Sequence, residues 1–351
     1  MKRGGRNARV QLTEGHEITP EPISWLWQNW LALGKLHVLA GAPGTGKSTI
    51  AFQLAATITV GGRWPDGSIA PMGSVVIWSA EDDPADTIMP RLLAAGADLT
   101  RIRILRATEI AGEEHHFNAS TDMDLLSQAI TDVGGVRLLI ADPIVAAVSG
   151  DGHKNADVRR SLQPLVDLAS QHRIAVLGIS HLSKSSGDRD PVDRVTGSIA
   201  FVALPRIVMA TAKREGERRV LVRAKSNIGP DDGGFEYEIR VGPLEGWPSI
   251  DASWLDWGPA VSGTARQLLG RVDSPADQDP SAEKWLAEYL QNGPKPARET
   301  IELGIQAGFT QKIIRRARCL LQITPRRTGG LAGEGHWVWA LPDQTCSSSE
   351  A

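Results

Sequence analysis

Eight consecutive residues, Gly41-Ala42-Pro43-Gly44-Thr45-Gly46-Lys47-Ser48, carry the most specific chemistry in the chain. Their spacing is G-x-x-x-x-G-K-S. Glycines at these places let backbone N–H groups wrap closely around phosphate oxygens. The lysine supplies a cation for the β- and γ-phosphates, and the serine hydroxyl supplies a ligand for Mg²⁺. The flanks are those the pattern needs. An apolar run, His37 to Ala40, precedes it, and an amphipathic stretch from Ser48 to Thr59 follows. A helix opening there turns its positive dipole end toward the site, with Thr49 in the first turn. ATP with Mg²⁺ is the expected ligand of residues 41–49.

Acids at the ends of other apolar runs complete the chemistry. Leu138-Leu139-Ile140-Ala141-Asp142 ends in a carboxylate expected to join Ser48 on Mg²⁺. Trp78-Ser79-Ala80-Glu81-Asp82-Asp83 closes a second run. Ligands in open α/β sheets bind beyond the carboxyl ends of the strands. Glu81 is therefore expected to polarise the attacking water, with Asp82 as the alternative. Asp83 is placed to cap a helix that begins at Pro84. His181, after the run Ile174 to Ser180, is expected to sense the γ-phosphate.

The elements that must position these groups follow from periodicity. Lys35 to Gly41, Ser74 to Ser79, Val136 to Asp142 and Ile174 to Ser180 are apolar enough for buried parallel strands. Between them, Ser48 to Thr59, Pro84 to Ala95, Asp122 to Val133 and Asp157 to Gln171 have helical spacing, and Pro164 predicts a kink or a break in the last. The alternation predicts an α/β core, a mostly parallel sheet with helices on both faces. After Gly197 the texture changes. Arg206 to Thr211, Arg219 to Lys225 and Phe235 to Val241 predict sheet with hairpin connections. Trp25, Trp27 and Trp30 are expected as packing.

The chain has 351 residues, a length that suits two domains. The expected division is a flexible arm at 1–20, a core at 21–260, a linker at 261–282, a small domain at 283–342 and a tail at 343–351. Lysines and arginines number 38 against 41 acids, so any nucleic-acid surface must be local. Two cysteines, Cys319 and Cys346, are too few for a disulfide framework or a Cys-ligated metal, which fits a reducing cytoplasm. There is no run of about 18 apolar residues, so no membrane span is expected.

Together these elements resemble the RecA-like ATPase superfamily. Within it they are most similar to the branch of RepA-type hexameric replicative helicases, also described as AAA family ATPases. The resemblance covers roughly Ile23 to Trp257. It rests on Trp25-Leu26-Trp27, the loop 41–48, Ser79-Ala80-Glu81-Asp82, Ile140-Ala141-Asp142-Pro143, Ser180-His181-Leu182-Ser183-Lys184, and Val195-Thr196-Gly197-Ser198-Ile199-Ala200-Phe201 leading to Arg206. It implies a RecA-like core in a ring, with nucleotide between subunits. It implies Glu81 as catalytic base, His181 as γ-phosphate sensor and Arg206 as an arginine finger acting on a neighbour. The larger DnaB-like helicases have a Lys-x-Arg pair on a late strand. Here Lys225-Ser226-Asn227 keeps only the lysine, which favours Arg206 and leaves Lys225 as the alternative. In such rings the loops corresponding to Ser149–Asn155 and Ser183–Thr196 line the channel. Lys154, Lys184, Arg189 and Arg194 are then the expected phosphate contacts. Neither loop has an aromatic residue for stacking, and Asp188, Asp190 and Asp193 offset the positive charge.

Residues 283–342 resemble a winged helix-turn-helix: Glu283 to Leu290, Ala297 to Ala307 and Thr310 to Leu321 as helices, Gly308 as the turn, and Gly329 to Trp339 as the wing. Lys312, Arg315, Arg316 and Arg318 make the third helix basic, as contact with DNA phosphates requires. The expectation is an ATP-driven helicase or translocase of plasmid, phage or mobile-element replication, assembled as a ring, hexameric by the resemblance. Two alternatives stay open: an ATP-gated DNA-binding regulator without motor activity, and a ring ATPase that acts on a protein partner.

Overall fold

The apolar runs form strands because both of their faces are covered. In a computed structural model, which describes residues 10, 12–152, 154–181, 199–214, 217–269, 280–328 and 336–342, the chain divides into two compact units, Met1–Arg271 and Val272–Ala351. The first unit runs β1 (Lys35–Gly41), α1 (Lys47–Val60), β2 (Ser74–Ser79), a π-helical turn at Pro84–Ile88, α2 (Met89–Ala94), β3 (Ile102–Leu105), α3 (Met123–Val133), β4 (Val136–Asp142), α4 (Asn155–His172) and β5 (Ala175–His181). It continues with α5 (Ala200–Ala203), β6 (Ile207–Lys213), β7 (Arg219–Ser226), β8 (Asp232–Leu244), β9 (Trp247–Thr264) and α6 (Ala265–Leu269).

One nine-stranded sheet results, in the order β9-β8-β7-β6-β1-β5-β4-β2-β3. Neighbours from β6 to β3 are parallel, whereas β6 to β9 are joined antiparallel. Alternate residues serve opposite faces. Leu39, Ile77, Ile140 and Ile179 pack with Ile50 and Leu54 of α1 and Leu92 of α2. Val38, Val76, Leu139 and Val176 pack with Leu126 of α3 and Leu162 and Leu165 of α4. The expected α/β core is present.

Several expectations need correction. The stretch 48–59 is not an amphipathic surface helix. Ile50, Ala51, Phe52, Leu54, Ala55, Ala56 and Ile58 of α1 are all buried, so apolar residues occupy every side of it. The cover includes Trp27, which stacks on Trp30 at 4.8 Å and on Trp64 at 5.1 Å, so the tryptophans do pack. Pro164 does not break α4, which runs on through it. Buried Leu162 and Leu165 flank the proline and hold the helix on the sheet despite one missing hydrogen bond. The expected linker starts too early at 261. β9 continues to Thr264, and Leu268 and Leu269 of α6 are buried with Ala210, Val220 and Val222. No described helix is long and apolar enough to cross a membrane.

The second unit consists of α7 (Pro280–Leu290), β10 (Lys295–Pro296), α8 (Ala297–Gln306), α9 (Gln311–Leu320), β11 (Arg326–Thr328) and β12 (His336–Trp339), with an antiparallel sheet in the order β10-β12-β11. Leu286, Leu290, Ile314, Ala317 and Trp339 form its own core. Thr310 caps α9 by accepting from the Ile313 N–H at 3.3 Å. Gly308, at φ +96°, makes the turn before it. Residues 329–335 of the expected wing lie outside the described residues.

Candidate phosphate-binding site

Parallel register gathers the predicted groups at one edge of the sheet. Gly41 pairs with His181 across β1 and β5, and Ser79 pairs with Asp142 across β2 and β4. The loop 42–46 and the segment that begins at Ala80 leave from that same carboxyl edge. Arg206 is elsewhere. Ile207 pairs with His37, and the Arg206 N–H donates to the Leu36 carbonyl at 2.9 Å. Five strand residues separate the levels of Leu36 and Gly41. At about 3.3 Å per residue this puts Arg206 roughly 16 Å from its own loop, at the amino edge.

The loop is held from below. Gly44 and Gly46 have φ +73° and +87°, in the left-handed region. A Cβ on Gly46 would lie 2.4 Å from Ile239 Cδ1, and one on Gly41 would lie 2.0 Å from Thr211 Oγ1. These glycines are therefore required by the strands beneath as well as by phosphate. Thr45 Oγ1 donates to the Ala42 carbonyl at 2.8 Å and accepts from Thr211 Oγ1 at 2.7 Å. The Tyr237 hydroxyl donates to the Thr45 carbonyl at 2.6 Å. Burial pushes that phenol well above its ordinary pKa, so it is a permanent donor. β6 and β8 thus brace the loop through Thr211, Tyr237 and Ile239. None of the three belongs to a motif, and the only hint was a polar residue in an otherwise apolar run.

Within the loop Lys47 is 7 % exposed, and its Nζ donates to the Ala42 carbonyl at 3.3 Å. Burial lowers the lysine's pKa, while Asp142 and Glu81 pull it back up. Ser48 Oγ donates to Asp142 Oδ2 at 2.7 Å. Asp142 is 8 % exposed. Burial raises its carboxyl, the Ser48 bond lowers it, Asp82 and Glu81 raise it further, and Lys47 lowers it. A hydroxyl and a carboxylate in direct contact, with two more acids bearing on them, are hard oxygen donors of the kind Mg²⁺ takes. The residues present fit that ion.

The acids after β2 have different neighbours. Asp83 Oδ1 caps the next turn, accepting from Ala85 N at 2.7 Å and Asp86 N at 3.1 Å, as expected. Asp82 Oδ2 pairs with Arg91 Nη1 at 3.5 Å, and its N–H is held by Ser79 Oγ. Glu81 is exposed, and its carboxylate makes no hydrogen bond or ion pair among the described residues. His181 is exposed at the end of β5, beside Gly41.

At the amino edge, Arg206 is exposed and its guanidinium has no partner among the described residues. Lys225 Nζ donates to the carbonyls of Val202 at 2.6 Å and Pro205 at 3.3 Å, fixing the turn that leads to Arg206. Burial lowers the pKa of Lys225, and the Arg206 charge lowers it further.

The candidate nucleic-acid contacts divide. Lys184, Arg189 and Arg194 lie outside the described residues, as does the Lys312 side chain. Lys154 faces Asp151 at 3.9 Å. Arg315 is exposed on α9, and Arg316 is partly buried. The Arg318 guanidinium lies over the Trp339 ring, 5.4 Å from its centroid, and donates to Cys319 Sγ at 3.5 Å. Arg318 is thereby part of the packing of its unit.

A family model described as an AAA domain matches residues 6–187. The match takes in β1 to β5, the whole loop 41–48, Glu81, Asp142 and His181.

Proposed function

The chain belongs to the AAA domain family and is an ATPase of AAA/RecA-like type; from that premise we propose that it works as a ring, hexameric by resemblance, and as a DNA helicase or translocase in the replication of a plasmid, phage or mobile element. The observation that carries the ring is the position of Arg206. An exposed guanidinium with no partner among the described residues, whose backbone lies roughly 16 Å from its own loop after a turn fixed by Lys225, is of use to a phosphate on a neighbouring copy.

In this reading Lys47 binds the β- and γ-phosphates from below, and the loop amides 42–48 surround them. Mg²⁺, held by Ser48 and Asp142 when bound, neutralises charge on the phosphate oxygens. Glu81 orients a water molecule and accepts its proton as the oxygen attacks the γ-phosphorus, while the bond to the β–γ bridging oxygen breaks and ADP leaves. Arg206 of the neighbouring copy stabilises charge on the transferring phosphoryl group. His181, beside Gly41, registers whether the γ-phosphate is present. The second unit supplies duplex contact through Arg315 and Arg316 of α9 in a winged helix-turn-helix arrangement.

One observation favours a second reading, an ATP-gated DNA-binding regulator. The second unit has its own core, and a basic helix at its surface. The experiment that separates the two is ATP turnover without DNA, with single-stranded DNA and with duplex, on a sample whose mass is measured in ATP. A motor shows a ring mass and stimulation by single strands. Duplex binding with no stimulation and no strand separation supports the regulator. Unchanged turnover with either DNA, from an assembled ring, directs the search to a protein partner.

A further inference from the structure

β6 brings a second cation to the loop. Lys213 ends that strand and is exposed. Thr211 pairs with Gly41, and Lys213 lies two residues further on, on the same face as the Thr211 hydroxyl that bonds Thr45. A Cβ on Gly44 would lie 3.9 Å from Lys213 Nζ. The ammonium therefore rests against the middle of the loop, where backbone N–H groups are available to an anion. Lys213 makes no hydrogen bond or ion pair among the described residues. Its cross-strand neighbour Arg219 differs. That guanidinium donates to the Glu217 carbonyl at 2.7 Å and faces the Glu217 carboxylate at 3.7 Å. Of the two cations on this row, Lys213 is the one left for a ligand.

We infer that Lys213 is a nucleotide-binding residue, which contacts the polyphosphate seated in residues 41–48 of its own subunit. Lys47 and Lys213 hold different positions. Lys47 is buried and faces Asp142 and Glu81, whereas Lys213 comes from the β6 side and pairs with no acid among the described residues. A contact made equally to ATP and ADP strengthens binding of both, so it acts on KM and leaves kcat largely unchanged. The inference rests on the loop being the nucleotide site, as proposed above.

The test is a set of binding titrations with a fluorescent ADP analogue and with inorganic tripolyphosphate as competitor. Parent, Lys213→Met, Lys213→Arg and Lys47→Ala are compared, each checked for folding by circular dichroism. Loss of one charge-assisted contact is expected to weaken both ligands about tenfold in Lys213→Met. Lys213→Arg should retain most of the affinity, and the salt dependence should flatten in Lys213→Met but not in Lys213→Arg. If Lys47→Ala loses affinity and Lys213→Met stays within about twofold of the parent, the inference is overturned and the loop reading stands. Weakened ADP binding with unchanged tripolyphosphate binding overturns it too, because the lysine then serves the nucleoside. If Lys47→Ala also binds normally, the loop is not the site, and the inference falls with it.

Discussion

The two edges of the parallel strands are built by the same sheet and yet differ in what secures them. At the carboxyl edge, the loop, Asp142 and Glu81 come within reach of one another, and Thr211, Tyr237 and Ile239 brace the loop from β6 and β8. At the amino edge, buried His37 ties the nearby Leu31–Ala32 hairpin strand to β5, and Lys225 fixes the turn that presents Arg206. One edge concentrates a site. The other exposes the Arg206 guanidinium, which has no partner among the described residues. The difference teaches that one α/β sheet can brace a phosphate-binding loop at one edge and present a guanidinium at the other, far from that loop.

The strongest test of that contrast is mixing. Lys47→Ala and Arg206→Ala should each hydrolyse ATP at least 10³ times more slowly than the parent, since a finger is worth about 10³ to 10⁵. Arg206→Ala should still bind nucleotide. Mixed rings should regain turnover wherever an intact loop faces an intact finger. Parent-level turnover by Arg206→Ala alone would make both edges' roles independent and the ring unnecessary for chemistry.

Next in size is the base. Glu81→Gln should lower kcat by about 10² to 10⁴ while ATP binding persists. Asp82→Asn should cost far less, because Asp82 is paired with Arg91. The reverse ranking in single-turnover kinetics would exchange the two residues.

At the amino edge the expected effect is on stability. The Ala32 N–H donates to His37 Nε2 at 3.0 Å, so Nδ1 carries the proton and donates to the Val176 carbonyl at 3.2 Å. Burial lowers the pKa of this imidazole from 6.5 to about 4. At pH 7 neither folded nor unfolded chain binds the proton there. As pH falls below about 6.5 the unfolded chain binds it and the folded chain does not until about 4, so stability declines through that window by about 3 kcal/mol. Denaturant unfolding of the first unit at pH 7 and pH 4.5 should show this loss in the parent, and a smaller one in His37→Gln. An equal pH dependence in both would remove His37 from the account.

The smallest effect belongs to the brace. Tyr237→Phe deletes one hydrogen bond to Thr45 and should cost about 1 kcal/mol, with a modest rise in KM for ATP. A fall in kcat with KM unchanged would mean that Tyr237 acts on the chemistry rather than on the loop's shape.

Much of this was legible in one dimension. Residues 41–48 form a local motif whose chemistry depends on neighbours in sequence, and β1, β2 and β4 end where their apolar runs end. The same locality made Asp83 readable as a cap. The 18-residue β9 was not readable, because Asp251, Asp256 and several tryptophans interrupt its alternation. Nor was the burial of α1 on every side, which depends on cover from Trp27, Trp64 and Leu255, far away in the chain.

The sequence by itself determined the ligand class, the order of the strands' chemistry and the presence of a second domain, because each is written in short runs of adjacent residues. Only the tertiary structure decided that Thr211, Lys213 and Tyr237 stand beside a loop some 170 to 190 residues before them, and that Arg206 stands away from it. Those positions depend on how β6 registers in parallel against β1 and how β7 to β9 follow it antiparallel. Register is a property of paired backbones and packed faces, which no single run of residues contains.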